Sequence, residues 1–230
     1  MDGNSRLVAG TTAGTTSGSC RLLLVGLIVL LIAFPFLEDI ASPLVLVIPL
    51  ASVFVIGVMV TEPQPRQVRR AVVLVTLQIG LTVLSLAQNR KQIFYTVAVA
   101  LALTATLLLI LFSTWCVLRY VLRAQAITRD QIYAGICMYI MLGFAFGAVF
   151  YLIYVLEPAS FIAVNGPPGV APDLMYFSFV TLATLGYGDI VPNTHPARSL
   201  AVLEALIGMV YIAVFMARLV SLRAMNEEQE

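Results

Sequence analysis

Residues 181–192 read TLATLGYGDIVP, and within them Thr184-Leu185-Gly186-Tyr187-Gly188 sets two glycines around a tyrosine immediately before Asp189. The chemistry open to such a run lies in its backbone. Glycine reaches conformations closed to other residues, so the carbonyls of successive residues from Thr184 to Gly188 can all be turned toward one axis. A ladder of inward carbonyl oxygens replaces the hydration shell of a cation, and Thr184 can offer its hydroxyl as well at the innermost position. Asp189 places negative charge at the other end. Catalytic chemistry has no comparable support: no apolar segment carries a nucleophile, a base and an orienting acid together, and the single histidine, His195, stands beside a proline in a loop. No Walker-type glycine loop is present either. Cys20, Cys116 and Cys137 lie in or beside apolar runs without paired ligand spacing, so they read as small packing residues.

Such a strand needs elements to hold it. The chain of 230 residues is 60% hydrophobic and only 11% charged, the composition of an integral membrane protein. Apolar segments of spanning size recur at 21–37, 43–61, 71–88, 93–118, 132–156 and 197–221. Between the last two lies a Pro- and Gly-rich turn, EPASFIAVNGPPGVAP, followed by DLMYFSFVTLAT, which is apolar but too short to span and reads as a re-entrant helix. The expected fold is therefore an all-α membrane protein with six transmembrane helices plus a re-entrant helix. That short helix ends near Ala183, so the negative end of its dipole faces the membrane interior, where a cation is otherwise poorly solvated. Asp173 opens it and suits the free amides of its first turn. Glu204, an acid at membrane depth in the sixth segment, falls on the face toward the short helix and suits a hydrogen bond to it.

Residues 1–19 are rich in Gly, Ser and Thr and read as a disordered tail; the apolar run after them reads as a retained helix and not a cleaved signal. With the N-terminus inside, the inner segments carry Arg6, Arg21, Arg66, Arg69, Arg70, Arg119, Arg123, Arg129, Arg218 and Arg223. The outer ones carry Arg90, Lys91 and Arg198 beside Glu38 and Asp39. This bias predicts a multi-pass cell-membrane protein with both termini cytoplasmic. The basic residues are scattered, which gives no footprint for nucleic acid.

TLATLGYGD resembles the potassium-channel signature T-x-x-T-V-G-Y-G-D, and the order of outer helix, pore helix, filter and inner helix across about 132–222 is similar to that superfamily, in particular to compact prokaryotic members. The resemblance implies a homotetramer, since one chain supplies one filter segment. It also implies potassium as permeant ion at Thr184, Leu185, Gly186 and Tyr187, with Gly188 closing the filter, and no cofactor. Tyr176 and Phe177 occupy the place of an aromatic pair that buttresses the filter, Tyr176 within reach of Asp189. Gly208, 22 residues after Gly186, matches the inner-helix hinge, and Met209, Ile212 and Met216 below it share a face that would line the cavity. His195 and Arg198 belong to the outer mouth. Leu185 departs from the usual Val or Ile; its side chain is expected to point back into the pore helix, altering packing more than ion chemistry.

The resulting division is a tail (1–19), a four-helix domain without voltage-sensor charges (20–118), a cytoplasmic linker (119–131), a pore domain (132–222) and a short tail (223–230). After Val220 the remaining SLRAMNEEQE is too short for a ligand-sensing cytoplasmic domain, so gating is expected from within the membrane or from a partner. Alternatives are a non-selective cation channel, whose Tyr-Gly-Asp would be altered; an uptake-transporter subunit, which would carry four filter-like repeats; and a non-conducting accessory subunit.

Overall fold

Prolines and a threonine punctuate the helices. The computed structural model describes residues 19–36, 43–62, 64–86, 93–123, 128–164 and 171–227. The expected N-terminal tail, the loop with Glu38 and Asp39, and Arg90 and Lys91 lie outside them. The helices are α1 (Ser19–Ala33), α2 (Pro43–Thr61), α3 (Pro65–Leu86), α4 (Ile93–Arg123), α5 (Arg129–Leu156), α6 (Ala171–Leu182) and α7 (His195–Glu227). Pro43 and Pro65 each take a first helical position, where the missing N–H is no loss. Thr128 caps α5: its hydroxyl accepts from the Gln131 amide at 3.4 Å, while the Gln131 side chain accepts from the Thr128 amide at 3.5 Å. Pro35, in the turn Phe34–Phe36, ends α1 four residues short of the expected boundary.

Among the described residues, four helices are long and apolar enough to cross a membrane: Pro65–Leu86, Phe94–Arg123, Arg129–Leu156 and His195–Ser221. The apolar stretches Cys20–Ala33 and Val47–Thr61 are shorter. The six expected segments are therefore all helical, and among the described residues four of them are long and apolar enough to span. α3 wears its apolar face outward, with Val72, Val73, Leu77, Val83 and Leu84 exposed, and buries Gln78, Thr82 and Ser85. Gln78 donates to Thr106 of α4 at 2.8 Å. A helix inverted in this way suits a lipid surround, and the chain is a multi-pass membrane protein.

Helix covers most of the expected linker 119–131, since α4 runs to Arg123 and α5 starts at Arg129. Glu62, buried at the end of α2, pairs with Arg119 at 3.7 Å and Arg123 at 3.5 Å. Arg218 of α7 donates to the Leu122 carbonyl at 2.7 Å, tying the last helix to the end of α4. Phe144 of α5 stands between the two halves, in edge contact with Phe34 and Phe54 on one side and Phe179 of α6 on the other. The three cysteines are free and buried, as their apolar surroundings imply.

α5 meets α6 and α7 through glycines. A Cβ at Gly143 would overlap the Phe179 ring, one at Gly147 the Met175 side chain, and one at Gly135 the Phe215 ring. On α7, a Cβ at Gly208 would stand 2.5 Å from the Leu182 carbonyl oxygen at the end of α6. These bare positions let the helices approach as small residues do in membranes. Beyond α6, β1 (Phe161–Ala163) pairs antiparallel with β2 (Ile190–Pro192), Ile162 opposite Val191. Phe150, Phe161 and Phe177 pack edge to face under this ribbon, centroids 5.1–5.6 Å apart.

Gly143→Ala and Gly208→Ala should each lower stability by about 1–3 kcal/mol, the usual cost of overpacking. Gly80→Ala, with open space around it, should cost nothing. Thermal unfolding in detergent checks this, and equal effects at all three positions would contradict the packing described.

Candidate functional site

The site begins where α6 stops. At its C-terminus the Thr184 amide donates to the Thr181 carbonyl and the Leu185 amide to the Val180 carbonyl, both at 2.9 Å. This is the paired closure of a Schellman motif, which needs a left-handed residue just past the helix, usually glycine. Thr184 fills that position with φ +58°, the only positive φ among described non-glycine residues. Gly186 at +57° and Gly188 at +78° follow. Leu185 and Tyr187 between them have negative φ, so the hand alternates at every residue from 184 to 188. A backbone of alternating hand can turn successive carbonyls to a common side. Sequence reasoning anticipated it for the glycines and missed Thr184, whose conformation is imposed by the helix cap.

The strand is exposed on the isolated chain. Leu185, expected against the pore helix, is 57% exposed and Tyr187 is 67% exposed. The α6 of their own chain lies behind the strand, capped through the Leu185 amide, and gives the Leu185 side chain no pocket.

Hydrogen bonds fix the strand at both ends. Tyr176 donates to Asp189 Oδ2 at 2.7 Å, and Asp189 Oδ1 accepts from the Ile190 amide at 3.0 Å. At the inner end, Tyr139 of α5 donates to the Leu182 carbonyl at 3.1 Å, the oxygen that Gly208 leaves room for. Tyr139 stacks on Tyr211 of α7, which donates to the Gly135 carbonyl at 2.6 Å and stacks on Phe215. Midway along α6, Ser178 Oγ lies 2.8 Å from the Gly143 carbonyl and 2.5 Å from Glu204 Oε1, all three residues buried.

Of the expected residues, Tyr176, Asp189 and Glu204 are thus brought to the strand or the helix that bears it. Phe177 turns away and packs in the aromatic cluster under the ribbon. Asp173 is the third residue of α6, inside its first turn. His195 is exposed at the start of α7, and Arg198 donates to the Pro192 carbonyl at 3.1 Å. Met209, Ile212 and Met216 are exposed along α7, away from the rest of the chain. α7 runs unbroken through Gly208, where close packing accounts for the glycine. Tyr139, Ser178 and Tyr211 were not foreseen. Gly-x-x-x-Gly at 143–147 was the available signal for close approach, but nothing in the sequence singles out which hydroxyl meets which carbonyl.

The bond to Asp189, with some desolvation and the nearby charge, pushes the Tyr176 phenol up to about 12. The neutral phenol is the donor, so the bond is complete below the ordinary tyrosine range near 10 and is lost as pH rises through about 12. In ultraviolet difference titration, the component absent from Tyr176→Phe should ionise above the ordinary tyrosines; ionisation alongside them would show that the bond is not made.

Comparisons with known proteins agree with this geometry. Residues 138–223 match the model of a family described as ion channel. Two pore potassium channel c of Oryza sativa subsp. japonica is 33% identical over 93 residues, covering 40% of this chain and 20% of that protein. Two-pore potassium channel 3 of Arabidopsis thaliana is 32% identical over 91 residues, 40% and 19% of the two chains. Inward rectifier potassium channel Kirbac3.1 of Paramagnetospirillum magnetotacticum is 46% identical over 50 residues, 22% and 17%. The chain spans about a fifth of the length of these relatives, and no solved structure matches it. Signature, strand geometry and relatives agree in likening residues 138–223 to ion channels, the relatives named being potassium channels.

Proposed function

We propose that this chain is one subunit of a potassium-selective channel in which four copies surround an axis and potassium passes along the carbonyls of Thr184 to Gly188. The observation that carries the reading is the alternating hand of the backbone at 184–188. Carbonyls turned to one side can stand in for water around a desolvated cation. The intact Tyr187-Gly188-Asp189 favours potassium over a non-selective filter. The tetramer is supported by exposed apolar surface that further copies would cover: Leu185, Tyr187 and a broad face of α7 including Val202, Val210 and Val214. In this arrangement α6 is the re-entrant pore helix entering from outside, six helices span the membrane, and both termini are cytoplasmic. Met209, Ile212 and Met216 line the cavity, and Gly208 combines its close packing with the bending point of α7.

The pore is not opened by voltage. α4 carries basic residues only at Arg119 and Arg123, near one end, and both are tied to Glu62. A charge near an interface crosses little of the field, whereas steep gating needs several charges per subunit, each worth about 2.3 kcal/mol per 100 mV.

Purified protein in liposomes should pass potassium in strong preference to sodium, and Gly186→Ala should abolish flux or preference by forcing a side chain onto a left-handed residue. No flux from correctly assembled protein would instead indicate an accessory subunit, and unchanged preference in Gly186→Ala would sink the filter assignment. In detergent the particle should have the mass of four chains and be stabilised by potassium more than by sodium, since an ion held between subunits favours the assembled state. A conducting monomer or dimer would defeat this.

In planar bilayers, open probability should change only weakly over about ±100 mV. A steep sigmoidal activation curve would overturn the assignment of α4 as a packing helix.

A further inference from the structure

Glu204 is fully buried in α7, with Oε1 2.5 Å from Ser178 Oγ, while Ser178 Oγ lies 2.8 Å from the Gly143 carbonyl oxygen. Both separations are hydrogen-bond distances, and each requires a proton between its two oxygens. The Gly143 carbonyl has none to give, and the serine has one. With Glu204 ionised, one of the two contacts would be left as a pair of facing acceptors. With Glu204 carrying a proton on Oε1, the acid donates to Ser178 and Ser178 donates to Gly143, and both contacts are filled.

The surroundings point the same way. Oε2 is buried without a hydrogen-bond partner, which an acid carbonyl tolerates and a carboxylate does not. The helices packed here are α5, α6 and α7. Among their described residues, no arginine or lysine pairs with Glu204, and the titratable group that faces it is the Tyr139 phenol, which brings no positive charge.

We propose that Glu204 is a proton-binding site: the neutral acid closes a three-member relay, Glu204 to Ser178 to Gly143, that fastens the middle of α6 to α7 and α5. The proton is the ligand and Glu204 a positioning residue, acting on the carbonyl strand through α6. Loss of the proton leaves an unpaired carboxylate between the helices and one acceptor pair without hydrogen, so α6 loosens. The functional consequence rests on the reading of the chain as a potassium channel, under which conduction falls as pH rises; the protonation does not rest on it.

The direct test is infrared spectroscopy of protein labelled with ¹³C at the glutamate carboxyls, wild type against Glu204→Gln at neutral pH. The difference should contain a protonated-carboxyl C=O stretch that shifts in deuterated water. A carboxylate band in its place would overturn the proposal whether or not the protein conducts potassium. In liposomes, Glu204→Gln, which keeps a donor and cannot ionise, should retain wild-type potassium flux at neutral pH and lose the alkaline decline. Glu204→Leu should lower flux by about tenfold, as expected when a buried partner is removed. A Gln variant that assembles with wild-type thermal stability yet conducts no better than the Leu variant would show that the ionised form is needed and overturn the proposal. A wild-type pH profile identical to that of the Gln variant would overturn its functional half.

Discussion

Backbone that belongs to no helix or sheet can sit within an apolar body only where its neighbours hold it or where water and ions reach it. Residues 184–188 belong to neither a helix nor a sheet, and the half of the chain that holds them is organised around their fixation. Held at one end through Asp189 and at the other through the Leu182 carbonyl, the strand hangs from α6. α6 in turn is held along its length by Gly143, Gly147 and Gly208, whose missing side chains let backbone and ring atoms come within contact. The aromatic cluster of Phe150, Phe161 and Phe177 does the same for the ribbon above it. These groups remove the freedom the strand would use to refold into ordinary turns.

The left-handed Thr184 shows how closely helix capping and strand shape are joined. A threonine pays strain to adopt φ +58°, yet the two hydrogen bonds that close α6 require it. The first residue of the alternating run is thereby set by the end of the helix, and the glycines continue a pattern already begun.

Sequence made the site legible wherever chemistry is local. The glycines of Gly186-Tyr187-Gly188, the acid beside them, the aromatic at 176 and the buried acid at 204 stand out by residue type alone, and six helical segments follow from the length of apolar runs. What was hidden depends on contacts between distant segments. Tyr139 is one aromatic among many until the fold sets it against Leu182. Ser178 looks like any polar residue on a short helix. The side chain of Leu185, expected against the pore helix, gave no local sign of its 57% exposure on the isolated chain. Helix ends were hard to place because charged residues such as Arg119 and Arg123 continue a helix as readily as they begin a loop. The inversion of α3, with Gln78 inward and valines outward, shows up only once lipid is taken as the solvent.

The short passage from α4 to α5 bears on how the protein is made. Only five residues separate Arg123 from Arg129, a reach of roughly 20 Å at full extension. α5 must therefore dock beside the α4 that precedes it, where Phe34 and Phe54 already wait for Phe144. During synthesis α1, α2 and α4 can thus be completed against the α5 of the same chain before the ribosome has finished α7.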